Sequence, residues 1–202
     1  MVELLSQGKK ILNPKIIDGE LYYYPEFLSK KISDKLFIKL KKSIPWKQDL
    51  IKVFGKIYQQ PRLTSLHSTL KKNYTYSSIT MKPHLMTNEL TTLMNQIKKI
   101  NNTNFNTVLL NLYRDGSDSN GWHADNEKEL GKNPVIASVS LGQPRYFHIK
   151  HRKQKNHRFK LRLDHGSLLI MAGSMQHDWL HMIPKTKRIL NERINLTYRK
   201  LI

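Results

Sequence analysis

Apolar residues recur at four-residue steps at Ile32, Leu36, Leu40 and Ile44, with polar and charged positions between them. That spacing predicts an amphipathic helix, with Ser29 or Ser33 as its N-cap and Pro45 as its stop. A second helix is predicted from about Thr87 to Lys99, burying Leu90, Leu93 or Met94, and Ile97. After Asn106 the pattern changes from helical to alternating. Short strand-like runs follow at Val108–Tyr113, Ile136–Leu141, Tyr146–Lys150, Phe159–Leu163, Leu168–Met171 and Ile194–Tyr198, separated by Gly, Pro, Asn and Asp. Further upstream, Ile51-Lys52-Val53 and Lys56-Ile57-Tyr58 flank Phe54-Gly55 as the arms of a hairpin flank its apex. Residues 1–20 read as a basic extension without periodicity, expected to be loosely held. Neither a repeat nor a linker divides residues 21–202, which are expected to form one domain. Two helices followed by many short strands predict an α+β fold: a double-stranded β-helix (jelly-roll) core with the N-terminal helices packed outside.

The last strand carries chemistry. In Arg193-Ile194-Asn195-Leu196-Thr197-Tyr198-Arg199, the two arginines, Asn195 and Thr197 fall on one face and the apolar residues on the other. Such a strand suits a sheet whose polar face lines a cavity. Six residues span about 20 Å, so both arginines can meet one small dianion only by reaching inward from opposite ends. Upstream, His123 and Asp125 lie two apart, which on an extended segment turns both to the same side. A second histidine, His177 or His181, would complete a 2-His-1-carboxylate set. That set holds one iron and leaves half its coordination shell open. A triplet of the form H-x-D alone is weak evidence; the combination with paired arginines is what points to an oxygenase with an anionic cosubstrate.

Charge narrows the partner. The 202 residues include 35 Lys and Arg against 15 Asp and Glu, a net charge of +20, which favours a polyanion such as nucleic acid. No 18-residue apolar run or signal-peptide pattern supports a membrane. The absence of cysteine excludes disulfides and thiolate metal sites. Between Arg145 and Arg162 lie eight Lys and Arg, three His and no acid. Phe147, Ile149, Phe159, Leu161 and Leu163 alternate with them, so this stretch reads as a basic hairpin whose tip, with Arg152, Lys153 and Lys155, grips phosphates.

Taken in order, several further runs complete a recognisable series: Val53-Phe54-Gly55-Lys56, Gln60-Pro61-Arg62, Tyr74-Thr75-Tyr76-Ser77, Asn111-Leu112-Tyr113-Arg114-Asp115-Gly116, His123-Ala124-Asp125, Ala137-Ser138-Val139-Ser140-Leu141-Gly142, His165-Gly166-Ser167-Leu168 and the Arg193–Arg199 strand. From about Tyr22 to Ile202 the chain resembles the AlkB-type iron(II)- and 2-oxoglutarate-dependent dioxygenases, most of all the branch that repairs alkylated bases in duplex DNA. The resemblance implies oxidative demethylation of N-alkylated bases such as 1-methyladenine and 3-methylcytosine in DNA, using Fe(II), 2-oxoglutarate and O2 and releasing formaldehyde and succinate. It selects His181, in Trp179-Leu180-His181-Met182-Ile183-Pro184, over His177 as the ligand beside His123 and Asp125. It assigns 2-oxoglutarate to Asn111, Tyr113, Arg193, Asn195 and Arg199, with Arg193 on the distal carboxylate. It makes residues 51–80 a nucleotide-recognition lid and 105–202 the jelly-roll core. Substrate contacts are then expected from Phe54 as a wedge between base pairs, Arg62, Tyr74, Tyr76, Ser77 and Glu127. The partner is expected to be duplex DNA, met by a monomer, nuclear in a eukaryote and cytoplasmic in a bacterium. Asn126, and Ser65-Leu66-His67-Ser68 after the Pro61-Arg62 pair, depart from the family pattern on the substrate side. Two rivals are an RNA demethylase on the same machinery and a catalytically silent nucleic-acid-binding module.

Overall fold

The computed structural model describes residues 2–4, 16–53, 55–70, 73–76 and 79–202. In chain order the elements are β1 (Val2–Leu4), β2 (Glu20–Tyr24), α1 (Lys30–Ser43), β3 (Leu50–Val53), β4 (Lys56–Gln59), β5 (Leu63–Ser68), β6 (Tyr74–Tyr76), β7 (Ile79–Met81), β8 (His84–Leu85) and α2 (Asn88–Ile100). They continue with β9 (Thr107–Tyr113), β10 (Asn120–His123), a 3-10 turn at Lys128–Leu130, β11 (Ile136–Gly142), β12 (Arg145–His151), β13 (Arg158–Leu163), β14 (Ser167–Ala172), α3 (Met175–Asp178), β15 (Trp179–Ile183) and β16 (Arg193–Arg199). Two sheets face each other. The larger has the order β2-β14-β11-β16-β9-β5-β8, the smaller β1-β13-β12-β15-β10. Pairing is antiparallel except at β1–β13 and β5–β8. This is the expected jelly roll.

Alternation along the strands sorts side chains into two cores. Between the sheets lie Leu109, Tyr113 and Met171 from the larger and Phe147, Ile149 and Leu161 from the smaller. On the other side of the larger sheet, Val108, Leu110, Leu112, Ile194, Leu196 and Tyr198 pack under the helices. Because Ile194, Leu196 and Tyr198 point to the helices, Arg193, Asn195, Thr197 and Arg199 must point between the sheets. The strand pattern thus puts the polar face of β16 inside the molecule.

Both helices form where periodicity predicts. The Ser29 hydroxyl accepts from Ile32 N–H at the head of α1, and Thr87 does the same for Leu90 at the head of α2. Leu40 of α1 is fully buried, a contribution of about 1.5–3 kcal/mol. In α2, Leu90, Leu93 and Ile97 are the buried positions. Ile32 departs from expectation: it is 50% exposed. A four-residue step overshoots the 3.6-residue turn, so over twelve residues the stripe rotates by about 120°, carrying Ile32 out of the contact.

Of residues 1–20, expected as a loose extension, 2–4 and 16–20 are described. Val2–Leu4 pair in parallel with Phe159–Leu161 on β13, Ile16 and Ile17 pack against the inter-sheet core, and β2 begins at Glu20. Within residues 51–80, β3–β4 and β6–β7 are two small paired-strand units outside both main sheets, while β5 belongs to the larger sheet. Gly55, at φ +80°, closes the first, a backbone conformation that favours glycine. Ile57 and Tyr58 on β4 are exposed. Phe54 and Ser77 lie outside the described residues. Tyr74 and Tyr76 lie on β6, whose backbone alone is described. No helix among the described residues is long and apolar enough to cross a membrane.

Candidate metal and cosubstrate site

His123 closes β10 and pairs directly with His181 on β15, which brings the imidazole centroids to 4.3 Å. Asp125 follows two residues after His123. One ligand atom from each of the three lies within 4.8 Å of the others. His177 is not in the set; its ring nitrogen accepts from Asn133 N–H at the surface. The supporting contacts fix the ligand atoms. His123 Nδ1 donates to the Gly121 carbonyl at 2.7 Å, which makes Nε2 the acceptor nitrogen; Asn120 Nδ2 donates to it at 3.1 Å, a bond that a metal on Nε2 would replace. Burial pushes the His181 imidazole down to about 3, so it is neutral and able to ligate at physiological pH.

Asp125 is 1% exposed. Burial opposes its ionisation, but the Arg199 guanidinium beside it outweighs that and holds its carboxyl below the ordinary value. Arg199 Nη2 sits 3.0 Å from Asp125 Oδ2. The Asp125 N–H donates to Gln176 Oε1 at 2.9 Å, tying the ligand loop to α3. Asp125 Oδ1 and His181 Nδ1 are buried without a hydrogen-bond partner among the described residues.

The cavity continues from this cluster along β16. Arg193 is 1% exposed. Burial pushes its guanidinium down to about 10, which leaves it charged at neutral pH. Its Nη2 donates to Ser140 Oγ at 2.9 Å, and its Cζ stands 5.1 Å from the Tyr113 ring centroid. Its Nε and Nη1 are buried without a partner among the described residues. Asn195 is held by Ser138 Oγ and the Val139 carbonyl, and in turn accepts from Thr197. Arg193 and Arg199 therefore mark opposite ends of one internal trough, with Arg199 at the His–Asp–His end. A buried cation with two unmet donors fits a carboxylate; three converging ligand residues, two of them with unsatisfied buried lone pairs, fit a divalent metal.

Arg62 is not at the surface. It is 3% exposed, and its Nε donates to Asn111 Oδ1 at 2.7 Å while Nη1 donates to the Ser119 carbonyl. Its guanidinium thus braces Asn111 from within the fold. Glu127 is half-buried at the head of the 3-10 turn. The hairpin tip forms as expected, with Arg152, Lys153 and Lys155 exposed. His151 Nδ1 accepts from the backbone N–H groups of Lys153 and Gln154, and its Nε2 faces Asp18. Gln176, Asn120, Ser138 and Ser140 support the site without having been read from the chain. Their partners lie on other elements, and an isolated Ser, Asn or Gln carries no periodic signal.

Comparison with known proteins agrees with this geometry. The model of the 2OG-Fe(II) oxygenase superfamily matches residues 20–199. The bovine protein named alpha-ketoglutarate-dependent dioxygenase alkB homolog 3 is 42% identical over 184 residues, covering 87% of this chain and 64% of its own length. The human protein of that name is 39% identical over 209 residues, covering 92% and 72%. Mouse DNA oxidative demethylase ALKBH2 is 33% identical over 189 residues, covering 89% and 79%. This chain thus spans less than two thirds of the bovine relative. The solved structure of OsALKBH1 superposes with a TM-score of 0.66 at 15% identity, over 92% of this chain and 99% of that one, a likeness of fold. Since the family match runs from the start of β2 to the end of β16, it takes in each strand that carries a ligand or an arginine, and the chain belongs to the 2OG-Fe(II) oxygenase superfamily, among its AlkB homologues.

Proposed function

We propose that this protein oxidatively removes N-linked alkyl groups from nucleic-acid bases, with DNA as its substrate, acting as a monomer. Its family uses iron(II), 2-oxoglutarate and dioxygen. The observation that carries the reading is the juxtaposition in one buried trough of His123, Asp125 and His181 with the unmet donors of Arg193. The name of the ALKBH2 relatives, DNA oxidative demethylase, supports DNA as the polymer. The net charge of +20 agrees with a polyanionic partner.

Each side chain then has a task. His123, Asp125 and His181 hold iron(II). Arg193, with Ser140 and Tyr113 behind it, takes the distal carboxylate of 2-oxoglutarate, while Asn111 and Asn195 orient the chain of the cosubstrate. Arg199 keeps Asp125 ionised at the metal end, so its charge serves the ligand and the near carboxylate together. When bound, iron(II) and 2-oxoglutarate supply an oxidising equivalent from dioxygen that hydroxylates the N-alkyl carbon. The hydroxymethyl product loses formaldehyde and restores the base N–H. A base in a duplex must leave the stack to reach so enclosed a site. On this reading Phe54, which follows β3 in the sequence, fills the gap, and Tyr74, Tyr76, Ser77 and Glu127 receive the base. Arg152, Lys153 and Lys155 hold phosphates.

The test is direct. The protein is loaded with iron(II) and 2-oxoglutarate without oxygen, then exposed to air with oligonucleotides carrying 1-methyladenine or 3-methylcytosine, as DNA and as RNA. Formaldehyde and succinate released together on DNA, and abolished by His181→Ala with nucleic-acid binding kept, support the reading. Faster turnover on RNA transfers the assignment to RNA, and normal succinate release by His181→Ala removes the ligand assignment.

A further inference from the structure

One surface beside the site takes no part in the reaction described above. β12 alternates, so Phe147, Ile149 and His151 face the core while Tyr146, His148 and Lys150 face outward. These three stand about 6.6 Å apart along the strand. At one end, Lys150 Nζ lies 4.3 Å from the ring centroid of Trp122, which is 37% exposed and directly precedes the ligand His123. Lys160 Nζ lies 5.1 Å over the Tyr146 ring. The Trp122 face thus holds the Lys150 ammonium in place and leaves its hydrogens turned away from the ring. Arg158, across from Lys150, is exposed.

At the other end of β12 the face sinks into a groove of about 570 Å³ lined by Tyr146, His148, Arg162, Lys185 and Arg188. Its rim is built, not loose. The buried Arg145 guanidinium donates to the carbonyls of Asp115, Asp118 and Pro184, and Thr186 N–H donates to Gly116 O. A Cβ on Gly116 would meet the Thr186 and Arg188 carbonyls at 2.7 Å, so this close approach needs glycine. Among the described side chains one carboxylate adjoins the face: Asp164 pairs with Arg162 at 3.0 Å. Lys150, Arg158, Lys185 and Arg188 outnumber it. Burial and Lys160 hold the His148 imidazole below its ordinary value, leaving it a neutral ring between the cations.

We propose that the outer face of β12 and β13, from Trp122 to the Lys185–Arg188 groove, is a track for the phosphodiester backbone of the nucleic acid flanking the target base. The inference rests on the nucleic-acid reading above and extends it to residues that touch neither iron nor cosubstrate. The track starts one residue from His123 and runs about 20 Å along β12, the axial length of about six base pairs at 3.4 Å of helix axis each. It accounts for Lys185, Arg188 and His148, which neither the site nor the hairpin tip uses.

The combined variant Lys150→Ala, Lys185→Ala, Arg188→Ala tests it on two substrates, a methylated trinucleotide that ends inside the site and an oligonucleotide long enough to cover the track. Affinity is measured alongside on the unmodified long oligonucleotide. The expected result is a KM on the long substrate about tenfold higher, an unchanged rate on the trinucleotide, and a log K against log salt slope shallower by about 2–3. Equal loss on both substrates, or an unchanged slope, overturns the track; so does loss of binding to anionic vesicles with nucleic-acid affinity intact. If wild-type protein demethylates neither substrate yet the variant still loses oligonucleotide affinity, the reaction reading fails and the track stands.

Discussion

Arg193 and Gln176 show how single residues carry the site. Arg193 is a buried guanidinium with one hydrogen bond to Ser140 and two donors unmet among the described residues. Lysine at this position keeps the charge but cannot present Nε and Nη1 together. Arg193→Lys is expected to raise the KM for 2-oxoglutarate about 10–100-fold, matching about 1.5–3 kcal/mol for hydrogen bonds to a charged group, with a smaller change in kcat. Succinate release against cosubstrate concentration measures it, and an unaltered KM would move the distal carboxylate elsewhere. Gln176 acts through Asp125, whose N–H it accepts. Gln176→Leu preserves volume but strands that N–H, at a cost of about 1–3 kcal/mol. Metal affinity is expected to fall about 10–100-fold, as for other groups that orient ligands. Titration with Mn(II) while following the melting of the apo-protein separates the two effects; an intact affinity with lowered stability would leave Gln176 a packing residue only.

At the level of elements, legibility followed periodicity. α2 was readable because it buries one face at the helical period, and the six strands after Asn106 because their apolar runs are bounded by Gly, Pro, Asn and Asp, whether one face is more deeply buried, as in β12, or both, as in β9. β5 was not. Its Thr64 and Leu66 face the inter-sheet side while Ser65 and His67 face the other, and all are buried; small polar residues on both faces erase the alternation. β1 and β2 gain their order from pairing with β13 and β14, far along the chain. The ligand set was visible through motifs, whereas the Arg62–Asn111 bond joins residues 49 apart and no local rule reveals it. The helices are the place to test the packing scheme. Thr87→Ala removes the α2 cap and is expected to cost about 1 kcal/mol. Leu40→Ala opens the α1 contact and is expected to cost about 2–5 kcal/mol. Urea midpoints of the two variants check the order: a Thr87→Ala loss as large as that of Leu40→Ala would contradict a helix layer held mainly by its apolar face.

Across the whole molecule, folding and ligand binding are coupled, because the trough is assembled from both sheets. β16, β9 and β11 bring the arginine end, β10 and β15 the metal end, and each end keeps buried polar atoms unsatisfied among the described residues. Those atoms destabilise the empty fold, and the unfolded chain, where the ends are far apart, offers no comparable site. A ligand that binds only the folded state stabilises it by about 2.7 kcal/mol at a hundred times its Kd. For a chain of this length that corresponds to a rise in Tm of about 5–10 °C. Mn(II) and 2-oxoglutarate, added separately, should each raise Tm, and a chelator should remove the metal's share alone. The two shares should also separate by mutation. His181→Ala is expected to abolish the Mn(II) shift and retain part of the 2-oxoglutarate shift through Arg193. Arg193→Ala is expected to do the reverse. If either variant lost both shifts while still melting cooperatively, the two ends of the trough would be one indivisible site, and the separate tasks assigned to the ligands and to the arginine would have to be merged.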